Sequence, residues 1–372
     1  MDIKKKNTIL IGVVSASLIA LVIILAGVSR FRAYDSYEIE DSFRIEGTSG
    51  LNFLPFADGI LAYSRDGAVH YEKTGATVWN EAYNMLSPVA VTNGSRLIVY
   101  DRQGSTLVAM SEEKELWNVS TNHTIVDAAV SADGTVAVLS QDGETGYISL
   151  YNDQGKQAGS GQVHLDQTGY PMSLAISDDG KRLIVSFEYP ADGRLATRVN
   201  IYDFSEDGDR QKDNIMASFR YKDTVCPEVA YFSDGRACAF TGSGVRIYSA
   251  GRQIKEEAYV KAGYKIAAVA AGKTGFALIR RDKSDKGVIT VYSDNGKEEF
   301  RRNLLSSYER VFFLDDGRVM IKSGRQVDIF TRTGRKWFTY RFPDQVEAFI
   351  PGETLREFFL VQRDSTQIIK LS

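Results

Sequence analysis

A hairpin pattern that recurs along the chain constrains the fold more than any other feature of this sequence. In the stretch SLAISDDGKRLIVSF (173–187), two alternating apolar runs flank Asp178-Asp179-Gly180. Asp-Gly between such runs predicts a tight β-hairpin, because glycine tolerates the positive φ that the turn requires. Similar turns recur about every 42 residues, at Gly59, Gly94, Gly134, Gly180, Gly235, Gly275 and Gly317, with a weaker eighth at Gly352.

Each of these hairpins is followed at a regular distance by a second pair of strands. An alternating apolar strand comes first, then in most units a polar turn and a more polar strand, as in VRIYSAGRQIKEEAY. Four antiparallel strands in each repeat are typical of a β-propeller blade, a sheet that buries its faces against neighbouring blades. We therefore predict an all-β fold, an eight-bladed β-propeller, with seven blades as the alternative.

The last repeat contains only three predicted strands before the chain ends. The stretch SYEIEDSFRIEG (36–47) has the pattern of a strand and has no other predicted partner. We predict that the propeller comprises residues 37–372 and that residues 37–45 close its last blade, which removes an exposed sheet edge.

The N-terminal stretch has the composition of a membrane anchor. Residues 9–28 contain no charged residue, and as a helix they would span about 30 Å, the thickness of the hydrocarbon core of a bilayer. A cleaved signal peptide is the alternative, but its apolar core is shorter, and Ala26-Gly27-Val28 matches a cleavage site poorly. We predict a transmembrane helix at 9–28, between a short cytoplasmic N-terminus at 1–8 and a tether at 29–36 that reaches about 25 Å at most.

The charges around this stretch predict the orientation of the chain. Three lysines at positions 4–6 precede the span and Arg30 and Arg32 follow it, so the positive-inside rule favours a single-pass bacterial cell-membrane protein with an extracytoplasmic propeller. These five cations and Asp2 give residues 1–32 a net charge of +4, so the whole-chain charge of −3 leaves −7 on residues 33–372. An acidic propeller without a basic run argues against nucleic acid as a partner.

The repeats resemble those of two propeller families. SLAISDDGKRLIVSF with the following VNIYDFSEDGD resembles the WD40-like repeats of TolB-type propellers, whose blades carry a Ser-x-Asp-Gly-Lys-x-Leu hairpin. YEKTGATVW and MSEEKELW look like the outer strands of quinoprotein-type propellers, which often have eight blades. The whole layout is similar to an uncharacterised family of membrane-anchored propeller proteins from clostridia-like bacteria. That resemblance implies a fold, but it transfers no catalytic or ligand residues.

Residues for quinone-cofactor chemistry are not arranged as in the quinoprotein dehydrogenases. The resemblance implies a cofactor stacked near a Trp and an adjacent Cys pair, whereas Cys226 and Cys238 are separated in the sequence. Trp79, Trp117 and Trp337 all fall in predicted outermost strands. We predict two buried thiols, with a disulfide as the alternative, and no cofactor.

Metal-ligand and catalytic patterns are equally weak. The three histidines, His70, His123 and His164, lie in different units without ligand spacing. The stretch SEDGDRQKD (205–213) is a possible calcium loop, but it lacks the Gly and the distal Glu of an EF-hand, and a hairpin turn is the simpler interpretation. We predict no catalytic residue and no metal site.

The remaining candidates lie on loops that meet at one mouth of the predicted channel. The blade-to-blade connections carry aromatic and cationic side chains, namely Tyr83, His123, Tyr170, Tyr264, Lys265, Tyr308 and Arg310. Such a set suits a peptide or glycan ligand, because rings stack on both and lose little entropy. The alternative interpretation is that these side chains plug the channel or cap the ends of blades.

The sequence favours a non-enzymatic scaffold over two other functions. We expect an envelope protein or a cell-wall glycan to bind near the bilayer. The alternatives are an envelope enzyme, either a glycan lyase or hydrolase or a degenerate quinoprotein dehydrogenase, and a sensor ectodomain that signals through a partner helix.

Overall fold

The computed structural model describes residues 33–372, except residues 49, 165–167, 207, 209–210, 282–286, 305–307 and 364. The strands form eight four-stranded antiparallel sheets, the blades of a β-propeller. The predicted all-β architecture and blade number are therefore confirmed. The first strand, β1 (Tyr37–Phe43), is set apart from the strands that follow it in the chain and joins the last blade.

The first four blades follow one another along the chain. Blade 1 contains β2 (Asn52–Phe56), β3 (Gly59–Tyr63), β4 (Gly67–Tyr71) and β5 (Thr77–Ala82). Blade 2 contains β6 (Pro88–Asn93), β7 (Arg96–Asp101), β8 (Thr106–Ser111) and β9 (Glu115–Ser120). Blade 3 contains β10 (Thr124–Val130), β11 (Val136–Asp142), β12 (Thr145–Tyr151) and β13 (Gln157–His164). Blade 4 contains β14 (Tyr170–Ile176), β15 (Arg182–Ala191), β16 (Arg194–Asp203) and β17 (Ile215–Tyr221), with a 3-10 turn at Lys212–Asn214.

The remaining blades complete the ring. Blade 5 contains β18 (Glu228–Tyr231), β19 (Ala237–Thr241), β20 (Gly244–Tyr248) and β21 (Glu256–Lys261). Blade 6 contains β22 (Ala268–Gly272), β23 (Gly275–Arg281), β24 (Gly287–Ser293) and β25 (Glu298–Asn303). Blade 7 contains β26 (Arg310–Phe313), β27 (Val319–Ser323), β28 (Gln326–Phe330) and β29 (Lys336–Arg341). Blade 8 contains β30 (Ala348–Pro351), β31 (Glu357–Val361), β32 (Thr366–Leu371) and β1.

Successive connections alternate between two faces of the ring because the strands within each blade are antiparallel. The turn face carries the turns between first and second strands and between third and fourth strands. The link face carries the turns between second and third strands and the loops that join successive blades. The hairpin at 173–187 has its turn on the turn face.

The turn of this hairpin is held by local side chains. Ser177 Oγ donates to Asp179 Oδ1 at 2.6 Å, and the same carboxylate oxygen accepts the Lys181 amide. Gly180 has a φ of 69°. A Cβ at Gly180 would lie 2.8 Å from Asp133 Oδ1 in the turn of blade 3, so both conformation and space require glycine there. Asp179 is thus a turn-forming residue.

Both faces of each blade are apolar because each blade packs between two neighbours. In β7, Leu97 and Val99 pack against blade 1, whereas the alternate residues Ile98 and Tyr100 pack against blade 3. Burial of such side chains stabilises the fold by about 1.5–3 kcal/mol each. This two-sided burial explains why the second strands of the repeats are nearly continuous apolar runs.

Outer-strand tryptophans connect successive blades. Trp79 on β5 donates from Nε1 to the carbonyl oxygens of Ser111 and Glu112, both at 3.1 Å. Trp117 on β9 donates in the same way to the Asp153 carbonyl at 3.1 Å. Trp337 lies on the outer strand β29. The predicted outermost placement of all three tryptophans is confirmed.

The ring closes through strands from the two ends of the described chain. β1 pairs antiparallel with β32, from Tyr37 opposite Leu371 to Phe43 opposite Thr366. Ser36 Oγ also lies 3.0 Å from Ser372 Oγ. The pairing lies within residues 37–45, which were expected to close the last blade.

The predicted membrane span and part of the tether lie outside the described residues. Among the residues that the structure describes, no helix has the length and apolar character needed to cross a membrane. The predicted tether at 29–36 overlaps described residues that already contact the ring, because the Tyr34 amide donates to the Trp337 carbonyl at 2.8 Å.

The two cysteines are buried and free. Cys238 pairs with Ala230 across the inner hairpin of blade 5. Burial raises the pKa of Cys226 to about 12 and also raises the pKa of Cys238, so both stay as thiols near neutral pH. The alternative of a disulfide is wrong.

Candidate functional site

Two cavities lie along the innermost strands of the ring. The larger has a volume of about 1160 Å³ and is lined mainly by the innermost strands of blades 2 to 6. The smaller has a volume of about 570 Å³ and is lined by blades 7, 8 and 1. The larger cavity reaches the link face at Gln103 and Pro227 and the turn face at Asp178 and Lys273.

Two of the seven predicted ligand residues pack into the ends of blades. Tyr83 is half-buried against the apolar cluster between blades 1 and 2, and burial, with a smaller effect of Tyr63, raises its pKa. Tyr308 packs against the cluster between blades 6 and 7. These positions correspond to the alternative interpretation of the sequence, in which such side chains cap blade ends.

His123 lies in the link between blades 2 and 3 and contacts its own blade. Its ring stacks on Tyr147 with 3.9 Å between centroids and 5° between planes. Its Nδ1 lies 3.8 Å from Asp142 Oδ2, a contact that is an ion pair only when the imidazole is protonated. His123 is therefore oriented by blade 3.

The other predicted residues lie around the link face with different environments. Tyr170 is 51% exposed and is the first residue of β14, whereas the sequence placed it in a connection. The Arg280 guanidinium lies 5.4 Å from the centre of the Tyr264 ring, and Lys265 next to it is exposed. Arg310 also begins an innermost strand, β26, and it lines the smaller cavity. A ligand role for all seven residues stays a prediction.

An acidic pair in the larger cavity was not identified from the sequence. Asp127 on β10 and Glu228 on β18 both line this cavity. Four residues occupy the same level of the ring, because each lies three residues before the last residue of its innermost strand. These are Asp127, Ser173, Glu228 and Arg310. The sequence carried a signal for this level, because each of the four residues also stands seven positions before a turn glycine.

Asp127, in blade 3, is held by donors from the blades on both sides of its own. Its Oδ1 accepts from Tyr100 Oη of blade 2 at 2.8 Å, and its Oδ2 accepts from Ser173 Oγ at 3.1 Å and from the Leu174 amide at 3.0 Å in blade 4. The pairing register shifts next to Asp127 and next to Ser173, so both inner strands carry an irregularity at this level. Asp127 therefore joins blades 2, 3 and 4 around the cavity.

Arg102 adds a positive charge at the link face of the same cavity. Its Nη2 donates to Tyr100 Oη at 3.3 Å and lies 3.9 Å from Asp127 Oδ1. Burial, followed by the charge of Asp127, raises the pKa of Tyr100, so this hydroxyl stays protonated. The Asp127 charge is thus compensated by the protein itself.

Glu228 differs from Asp127 in having no such compensation. Its side chain is half-buried, and no donor among the described residues forms a hydrogen bond with its carboxylate. Burial, with a smaller effect of the Asp127 charge, raises the pKa of Glu228 to about 7. A cationic or hydrogen-bond-donating ligand would supply the partner that this carboxylate lacks.

A metal site receives no support from the described residues. Within the described part of the chain, no three or more His, Cys, Asp or Glu side chains are grouped so that they could hold a metal ion. Residues 207 and 209 of the possible calcium loop lie outside that part. The charged groups that line the larger cavity are instead three carboxylates, one guanidinium and one ammonium group, from Asp127, Asp178, Glu228, Arg102 and Lys273.

Comparison with known proteins identifies the fold and a family. The model of a family of unknown function (DUF5711) matches residues 30–371. The structure is similar to BamB from Moraxella catarrhalis, with a TM-score of 0.55, 14% identity, and coverage of 90% of this chain and 100% of that one. It is also similar to the computationally designed Ika8 protein, with a TM-score of 0.59, 11% identity, and coverage of 92% and 100%. No curated protein sequence matches the chain.

Proposed function

Since the chain belongs to the family of unknown function DUF5711, we propose a function from the geometry of its ring: a non-enzymatic scaffold that binds a partner protein at the link-face mouth of the larger cavity. The observation that carries this proposal is the Glu228 carboxylate, which lies half-buried in a cavity of about 1160 Å³ without a hydrogen-bond donor among the described residues. Concave sites with a few convergent polar groups are the usual places of ligand binding.

The chemistry of the cavity favours a cationic side chain as the inserted group. The cavity lining carries Asp127, Asp178 and Glu228 against Arg102 and Lys273. Asp127 is already satisfied by its neighbours, and Asp178 on the turn face accepts from Asn93 Nδ2 at 3.2 Å. Glu228 is the lining carboxylate that has no donor among the described residues. A lysine or arginine of the partner would form a charge-assisted hydrogen bond with Glu228 and would lower its pKa.

The N-terminal segment enters the ring on the turn face, opposite the link face. This entry point supports an arrangement in which the link face points away from a membrane anchor. β1 begins opposite Leu371, the end of the third strand of blade 8, so the chain enters the ring on the turn face. We propose that residues 9–28 anchor the protein in the bacterial cell membrane with the propeller outside the cytoplasm. Because Tyr34 already contacts blade 7, about five residues of tether remain, a reach of about 18 Å.

A glycan hydrolase is the second candidate because two carboxylates line one cavity. A carboxyl group with a pKa of about 7 suits a general acid near neutral pH, and Glu228 meets that condition. The oxygens of Asp127, however, are occupied by four donors, including the amide of Ala128, which favours a positioning role. The test is whether the purified protein releases reducing ends from cell-wall glycan. Release that is lost in Glu228→Gln would favour the glycan hydrolase over the scaffold.

Crosslinking in intact cells tests the scaffold. The anchored protein, its Glu228→Lys variant and a control Glu144→Lys variant are crosslinked and recovered with their partners. Glu144 is exposed on the link face near the larger cavity but does not line it. We expect one stoichiometric envelope protein with the wild type and the control, and its loss with Glu228→Lys. No recovered protein, or equal recovery with all three chains, contradicts the proposal.

A further inference from the structure

The segment before β1 joins the last two blades of the ring. The Tyr34 amide donates to the Trp337 carbonyl at 2.8 Å, and the Thr339 amide donates to the Tyr34 carbonyl at 3.3 Å, so this segment adds to the outer strand of blade 7. β1 itself pairs with β32 in blade 8. We call residues 34–43 the latch.

The latch is attached by backbone pairing and by three aromatic side chains, Tyr34, Tyr37 and Phe43, the last of which packs against the apolar cluster between blades 8 and 1. Tyr34 is buried, and Tyr37 packs edge-on against Tyr340 with 5.0 Å between centroids. The side chains between Tyr37 and Phe43, from Glu38 to Ser42, are exposed, and Ile39 is 55% exposed. A terminal strand whose central side chains are exposed has a lower free energy of local opening than the buried strands of the ring.

Tyr34 is connected by direct contacts to the rim of the smaller cavity. Its ring packs edge-on against Trp337 with 5.1 Å between centroids. The Arg318 guanidinium lies 3.9 Å from the centre of the Trp337 ring. Arg318 Nη1 in turn donates to the Leu355 carbonyl at 3.1 Å, which ties the inner-hairpin turns of blades 7 and 8 together.

Arg318 depends on this support because it is a buried cation. It is 9% exposed, and its only carboxylate partner among the described ion pairs is Asp316 at 2.5 Å. Burial lowers the pKa of Arg318, and the Asp316 charge acts in the opposite direction. Loss of the aromatic surface beneath Arg318 would weaken its hold on Leu355.

We propose that the latch is a releasable closure that controls entry to the smaller cavity. When residues 34–43 detach from blades 7 and 8, Trp337 loses its contact with Tyr34. The Trp337 ring that packs against Arg318 is then no longer held in place. The turns of blades 7 and 8 then separate and expose the apolar lining of the cavity, which includes Phe312, Met320 and Phe349. A partner or a pull on the chain before Tyr34 would act on this closure first. This regulation is independent of binding at the larger cavity.

Thiol labelling measures the closure directly. Met320 is 2% exposed and lines the smaller cavity, so a Met320→Cys variant reports entry to it. In that background, Tyr34→Ala should raise the labelling rate of Cys at 320 several-fold. The control Glu38→Ala removes an exposed side chain from the latch and should leave the rate unchanged. The buried thiols of Cys226 and Cys238 provide an internal control for loosening of the whole ring.

A crosslink gives the opposite test. Ser36 and Ser372 exchange backbone hydrogen bonds at 3.3 and 3.0 Å, a geometry in which a disulfide can form. Oxidation of Ser36→Cys with Ser372→Cys should slow labelling at position 320 below the rate of the reduced form. The proposal is overturned by a rate that Tyr34→Ala does not change, by equal acceleration at Cys226 and Cys238, or by a crosslink without effect.

Discussion

Asp127 and Ser173 are hydrogen bonded across the interface between blades 3 and 4, with 3.1 Å between Oδ2 and Oγ. The two residues stand at the same level of successive innermost strands. A polar contact at this level holds neighbouring blades together on the side of the cavity, where apolar packing ends. The site is therefore part of what fixes the shape of the ring.

Asp127→Ala should destabilise the propeller by about 2 kcal/mol or more, because it leaves Tyr100 Oη and the Leu174 amide without their acceptor. Asp142→Ala, which removes a 72% exposed side chain, should cost less than about 0.5 kcal/mol. Denaturant unfolding of both variants measures the difference. Equal losses of stability would show that Asp127 is not a link between blades.

Glu228→Gln should change the pH dependence of stability. Burial raises the pKa of Glu228 from 4.5 to about 7, so between these values the folded protein binds more protons than the unfolded chain. The contribution of this group to stability is fully present below pH 4.5 and is lost as the pH rises to 7. The variant should therefore gain roughly 2 kcal/mol relative to the wild type between pH 5 and pH 8.

Unfolding free energies at several pH values measure this gain. Glu144→Gln, which makes the same change at an exposed position, serves as the control. If the two variants show the same pH dependence of stability, the Glu228 carboxylate is not desolvated as the structure indicates.

Two positions in β1 should differ sharply in their effect on the closure of the ring. Tyr37 packs against Tyr340 and Phe342, so Tyr37→Ala should cost about 1–3 kcal/mol. Ile39→Ala, at an exposed position, should cost less than about 0.5 kcal/mol. Hydrogen exchange of the β32 amides should accelerate in Tyr37→Ala alone. Equal exchange in the two variants would mean that Tyr37 does not hold β1 in place.

Gly180→Ala should be more costly than the same change at Gly193. Both residues have positive φ, 69° and 76°, and share the conformational cost of about 1 kcal/mol. A Cβ at Gly180 would also meet Asp133 at 2.8 Å, whereas nothing lies within 4 Å at Gly193. The midpoints of denaturant unfolding compare the two variants. Similar midpoints would exclude close packing between the turns of blades 3 and 4.

The proposed orientation predicts that trypsin added to intact protoplasts cleaves near the tether and releases the propeller. Arg30 and Arg32 provide cleavage sites just before the latch. Immunoblotting of the supernatant detects the released fragment, and a cytoplasmic protein that stays intact controls for lysis. Protection of the full chain until the membrane is disrupted contradicts the orientation.

The fold was predictable because a short-range sequence pattern of turn residues and alternating apolar runs specifies each blade. Asp178, Asp179 and Gly180 form a turn through contacts within five residues, and the same local chemistry recurs in the other repeats. The strand nature of residues 36–47 was also visible in the sequence. The extra attachment of Tyr34 to blade 7 was not, since it depends on contacts between residues about 300 positions apart.

The candidate site was harder to predict because a loop position does not determine where a side chain points. Tyr83 and Tyr308 stand in links but pack into blade cores. Asp127 and Glu228 were overlooked because they stand within apolar strands. Each of them nevertheless stands seven positions before the turn glycine of its repeat, Gly134 for Asp127 and Gly235 for Glu228, so the repeat pattern identifies both positions.

Site-specific photo-crosslinking tests most directly that the link-face mouth of the larger cavity binds a partner protein. A photoreactive amino acid is placed at Gln103, which lines the cavity at the link face, and in a second chain at Gln154, which is exposed on the turn face. After irradiation of intact cells, a single defined adduct should form from position 103 and none from position 154. An adduct of the same protein from position 154 alone, or no adduct from position 103, would contradict the proposed binding mouth.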